Sequence, residues 1–249
     1  MFESISLPAL PGKISFWVED TVTGEVSCAN PDTEHIAASV IKLSVMLAAF
    51  KCFADGTLSP DETYTLREAD KLPPCGVLTF LHEGLTVTVR DLVTLMIIVS
   101  DNTATNLLID RIGIGKIGEI ARSCGLNGLI LRRKLFDEET SRKGIQNTVT
   151  ARSVADFFRK LHRGELISRE SSKEMTDILL AQQLNGKLPF YPGEELPIAH
   201  KTGEDDGITH DAGIIYGEHP VIAVFLGSET DTAAYNRYIQ DMGKLLTPS

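Results

Sequence analysis

Ser39 and Lys42 stand at the head of an almost uninterrupted apolar run made of Val40, Ile41, Leu43, Val45, Met46, Leu47, Phe50 and Phe53. A helix that is apolar on every side has no solvent face and belongs in the middle of a molecule. Residues three apart share one face of it, so the hydroxyl and the amine are neighbours. Ser39 opens the helix, where unpaired backbone N–H groups and the positive dipole end favour a developing negative charge. An ammonium at the mouth of a buried helix is costly unless it is paired or kept neutral. A neutral lysine beside a serine hydroxyl is a base next to a nucleophile, the pairing that covalent acyl transfer needs. A plainer arrangement uses the same residues: an N-capping serine and a lysine whose stem lies along apolar surface.

Two further clusters give that pair its context. Ser100-Asp101-Asn102 follows the apolar run 92–99, and Lys201-Thr202-Gly203 precedes a series of strand-like segments. S-x-x-K at a helix start, S-D-N at a helix-to-helix turn and K-T-G on a strand, in that order, resemble the signature of class A β-lactamases and penicillin-binding proteins. The resemblance runs from about residue 13 to residue 246. It implies that Ser39 is the acylated nucleophile, that Lys42 takes its proton, and that Ser100 passes the proton to the leaving group. Asn102 would hydrogen-bond a substrate amide. Lys201 would face the substrate carboxylate and lower the pKa of the Ser100 and Lys42 network, with Thr202 adding a hydroxyl donor. Gly203 would let the substrate lie against the strand edge. The backbone N–H groups of Ser39 and Glu204 would form an oxyanion hole, each contributing about 3 kcal/mol to transition-state stabilisation. By residue type alone, Ser100-Asp101-Asn102 would also serve as a turn or helix cap, with Asp101 the capping member.

The chain departs from that family in two places. Class A relatives carry Glu-x-x-Leu-Asn ahead of the helix that begins here near Ala151, and that glutamate activates the deacylating water; residues 131–150 lack the motif. They offer Asp137, Glu138 and Glu139 as deacylation bases, or simply as solvated loop carboxylates. Asp137 is the first choice because Leu135-Phe136 before it should tuck that part of the loop against the core. The second departure is His210-Asp211-Ala212-Gly213, where drug-hydrolysing relatives usually place an arginine for the substrate carboxylate. Acylation is therefore well equipped, while deacylation is expected to be slow. His200, Glu204, Asp205, Asp206, His210 and Asp211 match no zinc or calcium template, so no metal and no cofactor is expected. Cys75-Gly76 falls in the loop that borders the cleft in relatives.

The surrounding elements must hold these groups together. Segments 14–18 and 25–29 alternate around Gly24 as a hairpin. The central helix stops near Asp55-Gly56, and residues 57–86, punctuated by Pro60, Pro73-Pro74, Gly76 and Gly84, read as irregular. A buried helix over 88–99, one ending at Gly113 and a short one closed by Gly125 follow. Residues 131–150 read as a long polar loop of the kind that is often functional. Val154, Phe157, Phe158 and Leu161 repeat with helical period up to Gly164, and Met175, Ile178 and Leu179 mark another helix. From Ile198 the period becomes strand-like, with 212–216 and 221–226, the latter a central strand. A helix carrying Tyr235, Tyr238, Ile239, Met242, Leu245 and Leu246 closes the chain.

Strands at both ends with helices between them predict an α/β (α+β) fold of β-lactamase-like type. Its antiparallel sheet is built from both termini, with an inserted all-helical lobe. The expected organisation is a single catalytic domain over 1–249, with a sheet lobe of about 1–38 and 198–249 and a helical lobe of about 39–197. The length of 249 residues suits one such domain, and the formal charge of −10 argues against nucleic acid or an anionic membrane as partner. A small-molecule acyl compound is the expected partner, with oligomeric state open. Met1 to Pro8 has neither a basic nor an apolar leader segment, and no run of about 18 apolar residues occurs, so a cytoplasmic location is expected. That would put mature peptidoglycan out of reach. Cys28, Cys52, Cys75 and Cys124 are widely spaced and read as free thiols. The leading functional expectation is a serine acyl-hydrolase acting on a β-lactam, amide or ester. The alternatives are an acyl-accepting binder or sensor with negligible turnover, and a peptidase of the penicillin-binding type.

Overall fold

Alternating residues in β1 (Lys13–Asp20) and β2 (Val26–Ala29) form the expected hairpin. Asp20 closes its turn by accepting the backbone N–H groups of Val22 and Thr23, each at 2.8 Å. β1 also pairs antiparallel with β10 (Val221–Ser228), β10 with β9 (Ile208–Ile215), and β9 with β8 (Ile198–Asp205). The five-stranded order is β2-β1-β10-β9-β8, with β10 in the middle and buried at every position. This computed structural model describes Phe2 and residues 5–73, 75–193 and 196–247.

Period-2 alternation divides β10 between two cores. Ile222, Val224 and Leu226 join one with Phe157 and Phe158 of α6 (Ala151–His162) and the apolar residues of α1 (Lys42–Ala54). Val221, Ala223 and Phe225 join the other with Tyr235 and Ile239 of α8 (Thr232–Leu245). α1 is buried from Lys42 through Phe50, as a helix without a polar face must be. α2 (Val89–Ile98), α3 (Asn102–Ile112), α4 (Ile114–Ser123) and α7 (Arg169–Leu180) complete the inserted segment. Side chains of Thr88, Asp101, Thr150, Ser168 and Asp231 cap α2, α3, α6, α7 and α8, each replacing an unsatisfied N–H for about 1 kcal/mol.

Short strands also lie outside the main sheet. β4 (Thr63–Thr65) pairs with β5 (Thr86–Thr88), so the segment expected to be irregular contains a small ribbon. β3 (His35–Ile36) and β6 (Leu129–Ile130) flank β7 (Thr148–Val149). The polar stretch 131–150 differs from a plain loop: it contains α5 (Glu138–Arg142), capped by Asp137. That turn has no buried residue. Its cap and the i,i+4 pairs Glu138–Arg142 and Glu139–Lys143 hold it, which is why apolar periodicity gives no sign of it.

Two buried histidines tie the approach to Ser39 onto the sheet. His210 Nε2 donates to Ile36 O at 2.8 Å, and its Nδ1 lies 3.1 Å from the Gly227 N–H that donates to it and 2.9 Å from Thr209 O. His35 lies edge-on to it at 5.9 Å and bonds the Ser15 and Ser228 hydroxyls at 2.8 and 3.0 Å. Burial pushes His35 down to about 4 and His210 down to about 3. An unfolded chain takes up these protons below about pH 6.5 while the folded chain does not, so stability falls as pH drops from there. Each histidine contributes roughly 1.4 kcal/mol per pH unit to that fall. Urea midpoints should therefore drop between pH 7 and pH 5, and His210→Gln should flatten the dependence. An equal drop in the variant would dissociate His210 from it.

Candidate active site

The 3₁₀ turn Ala38–Ile41 delivers Ser39 to the start of α1, and Lys42 follows as the first residue of the α-helix proper. Ala38 and Ser100 both adopt positive φ, +41° and +54°, conformations costing of order 1–3 kcal/mol that cluster where a side chain must be aimed. Lys42 Nζ is the hub. It lies 3.0 Å from Ser39 Oγ, 2.9 Å from Ser100 Oγ, 2.7 Å from Ser100 O and 2.9 Å from Asn102 Oδ1. Burial, and next the charge of Lys201, hold the Lys42 amine well below the ordinary lysine range. A neutral amine has two N–H groups and one lone pair. Ser100 O and Asn102 Oδ1 can only accept, so they take the two N–H groups of the neutral amine and leave its one lone pair to one hydroxyl at a time, Ser39 or Ser100. The amine is thereby aimed as a base.

Ser100 bridges two lysines. Lys201 Nζ donates to Ser100 Oγ at 3.1 Å and to Thr202 O at 2.9 Å, and burial brings its pKa down to about 7. Asp101 turns away from this network. It caps α3 at Ala104 and accepts Val77 N–H and Leu78 N–H at 2.7 and 2.9 Å, fixing the loop that carries Cys75. Asn102 departs from a purely substrate-facing role. Its Oδ1 accepts from Lys42, and its Nδ2 donates one N–H to Pro73 O at 3.3 Å, the other having no partner among the described residues.

Two cavities open on Ser39. The larger, about 580 Å³, lies against 131–150 and is lined among others by Asn102, Arg133, Phe136, Asp137 and Glu138. Of the three carboxylates proposed as deacylation bases, Asp137 and Glu138 reach this wall, while Glu139 is turned outward to pair with Lys143. Asp137 accepts Thr140 N–H at 3.0 Å, and the Thr140 hydroxyl and amide hold its carboxyl below the usual range. The apolar pair before it splits. Asn106 bonds both the N–H and the C=O of Leu135 at 2.9 Å, drawing Leu135 towards the core, while Phe136 turns out with φ +59°. Asn147 holds the other side by accepting Arg132 N–H and Arg133 N–H. Neither asparagine has a sequence signal beyond its residue type.

The smaller cavity, about 240 Å³, lies against β8 and is lined by Ser39, Ser100, Thr202, Glu204 and Lys187 among others. Cys75 borders both cavities with an exposed thiol. Lys187 is the residue that motif reading misses. It belongs to a non-periodic stretch, and only the fold brings its buried ammonium to Glu204, at 2.8 Å. Behind it, Asp211 accepts Leu188 N–H at 3.0 Å and pairs with His200 Nδ1 at 2.8 Å, pinning that stretch to the sheet. Gly203 sits where β8 meets the turn carrying Ser39. A Cβ there would meet Val40 at 3.1 Å and Ala37 O at 3.3 Å, so its bare face is turned inward. The glycine lets the turn carrying Ser39 pack directly on β8. Among the described residues, no group of three or more His, Cys, Asp or Glu is placed to hold a metal ion. Among them, no helix is long and apolar enough to cross a membrane.

Comparison with known proteins agrees with this geometry over nearly the whole chain. The profile of the beta-lactamase enzyme family matches residues 5–248. The crystal structure of a β-lactamase from Sphaerobacter thermophilus superposes with TM-score 0.87 at 30% identity, covering 95% of this chain and 94% of that one. A point mutant of PBP-A, solved as an acyl-enzyme complex with penicillin G, superposes with TM-score 0.84 at 26% identity, covering 96% of this chain and 89% of that one. In sequence, β-lactamase CARB-3 of Pseudomonas aeruginosa is 24% identical over 238 residues, 92% of this chain and 81% of that protein.

Proposed function

The chain belongs to the β-lactamase enzyme family, and on that premise we propose that it is a serine acyl-hydrolase working through an acyl-Ser39 ester. The observation that carries the reading is the environment of Lys42 Nζ, a buried amine 3.0 Å from Ser39 Oγ and 2.9 Å from Ser100 Oγ. Lys42 takes the Ser39 proton as Oγ attacks the carbonyl of a lactam, amide or ester. The developing oxyanion is held by the backbone N–H groups of Ser39 and Glu204. Ser100, between the two lysines, gives its proton to the leaving nitrogen or oxygen and recovers one from Lys42. Lys201 and Thr202 face the substrate from β8, and the remaining N–H of Asn102 meets its amide.

Hydrolysis of the ester needs a second base acting on water. Asp137 is the first candidate on that wall, but the Thr140 contacts that lower its pKa make it a weak one, and Glu138 is largely exposed and paired with Arg142. Deacylation is therefore slow, which also favours an acyl-accepting sensor as the second reading. A point mutant of the similar protein PBP-A has been solved as an acyl-enzyme complex with penicillin G, which supports acylation on this architecture.

Intact-protein mass spectrometry through time tests both parts. A fluorophosphonate and benzylpenicillin should each add one mass equivalent, mapped by peptide digestion to Ser39. The penicilloyl adduct should last seconds or longer, and Asp137→Asn should slow what clearance there is. An adduct on Cys75 would overturn the role of Ser39. Clearance within milliseconds, unaltered in Asp137→Asn and Glu138→Gln, would place the base elsewhere.

A further inference from the structure

The cavity against β8 contains a cation that the acyl-transfer steps leave unused. Lys187 is 3% exposed, and an ammonium has three N–H donors. His210 O at 3.1 Å and Gly203 O at 3.4 Å accept from it, and Glu204 Oε1 forms an ion pair with it at 2.8 Å. The first two acceptors are backbone atoms of paired strands and cannot leave. The third belongs to a flexible side chain, 68% exposed, on the wall shared with Ser39, Ser100 and Thr202. A buried cation at the wall of a substrate cavity is an anion subsite, because charge-assisted contacts are strongest where water is excluded. Here the chain's own carboxylate sits in it.

We propose that Glu204 is a resident occupant of the Lys187 anion subsite, which makes the site selective for acyl donors with no carboxylate beside β8. This deepens the acyl-Ser39 reading and rests on it for the chemistry. A carboxylate-bearing donor entering with Glu204 in place meets a like charge, and one that displaces Glu204 exchanges one ion pair for another with little gain. Because Glu204 is largely in water, it can be swung aside, so the result is a slower reaction and not a block. An ester or amide uncharged on that side leaves the Lys187–Glu204 pair intact and meets no such penalty.

The test uses one lactam in two charge states, benzylpenicillin and its methyl ester. Glu204→Gln keeps the backbone N–H and the size of the side chain, and should raise the acid-to-ester ratio of second-order acylation constants about tenfold or more. In the Lys187→Gln background the same change should lose most of that rise. Asp205→Asn, the neighbouring surface charge, should move the ratio less than about twofold, since exposed charges are screened. An unchanged ratio in Glu204→Gln overturns the proposal. So does an equal rise in Asp205→Asn, or a rise that survives without Lys187, because either would show only the field of an acidic surface. Should Lys187→Gln fail to fold, the Asp205 comparison still decides. A separate arm uses Ser39→Ala, where calorimetry should show that adding Glu204→Gln tightens non-covalent binding of the acid relative to the ester. Failure of Ser39 to be acylated overturns the catalytic reading, whereas failure of this binding arm overturns the subsite.

Discussion

Ser39→Ala should take up no acyl group from benzylpenicillin or a fluorophosphonate while folding normally. Acylation should fall by at least about 10⁴-fold, the scale on which enzymes lose rate when the nucleophile is deleted. The fold should survive because of how little Ser39 holds in place. Its hydroxyl contacts Lys42 Nζ, and when it is removed Lys42 retains Ser100 O, Ser100 Oγ and Asn102 Oδ1. No buried donor is orphaned, so the stability change should stay within about 1 kcal/mol. Mass spectrometry at matched concentrations, with a melting curve as the folding control, checks both halves. Cys75 gives the experiment its discrimination, since it is the exposed nucleophile bordering the same two cavities. Label on Ser39→Ala at the wild-type rate would remove Ser39 from the role.

The side chains gathered around Lys42 were legible in the sequence because the chemistry proposed for them restricts residue types. A buried amine next to a hydroxyl, an Asp that caps while its neighbours face a cleft, and a lysine on a strand have few substitutes, so Ser39, Lys42, Ser100 and Lys201 announce themselves in order. The sheet was legible for a similar reason: 221–226 has no polar alternation, and only the middle position of a sheet covered on both faces satisfies that. What stayed hidden is positioned by contacts distant in the chain. Lys187 is one lysine in a Gly- and Pro-containing stretch, and the carbonyls that fix it belong to β8 and β9. Leu135 and Phe136 look alike in hydropathy. Asn106, twenty-nine residues earlier, binds the backbone of the first and lets the second turn out. The packing of Gly203 against the turn carrying Ser39 likewise depends on a contact far away in the chain.

Lys42→Ala should leave substrate binding nearly intact and slow the chemical step about 10²- to 10⁴-fold, since a general base acts only in the transition state. The proton balance sharpens this expectation. Lys42 and Lys201 face each other across Ser100 Oγ, at 2.9 and 3.1 Å, so protonating one disfavours protonating the other. Both are pushed down by burial, but Asp211 pulls Lys201 back up, and it settles at about 7. Lys42, for which burial and Lys201 act in the same direction, is the one that gives up its proton. Acylation in the wild type should therefore rise with pH as Lys42 becomes neutral and fall again as Lys201 loses its charge. Lys42→Ala should abolish the rising limb together with the rate. Lys42→Arg should restore neither, because a guanidinium stays protonated and has no lone pair to offer. The alanine variant strands Ser100 O and Asn102 Oδ1, so a stability loss of about 1–3 kcal/mol should accompany the kinetic one. Stopped-flow acylation across pH, with non-covalent affinity measured separately, distinguishes the outcomes. Weakened affinity with an unchanged acylation constant and an intact rising limb would make Lys42 a structural lysine, and the base would then have to be Ser100 paired with Lys201.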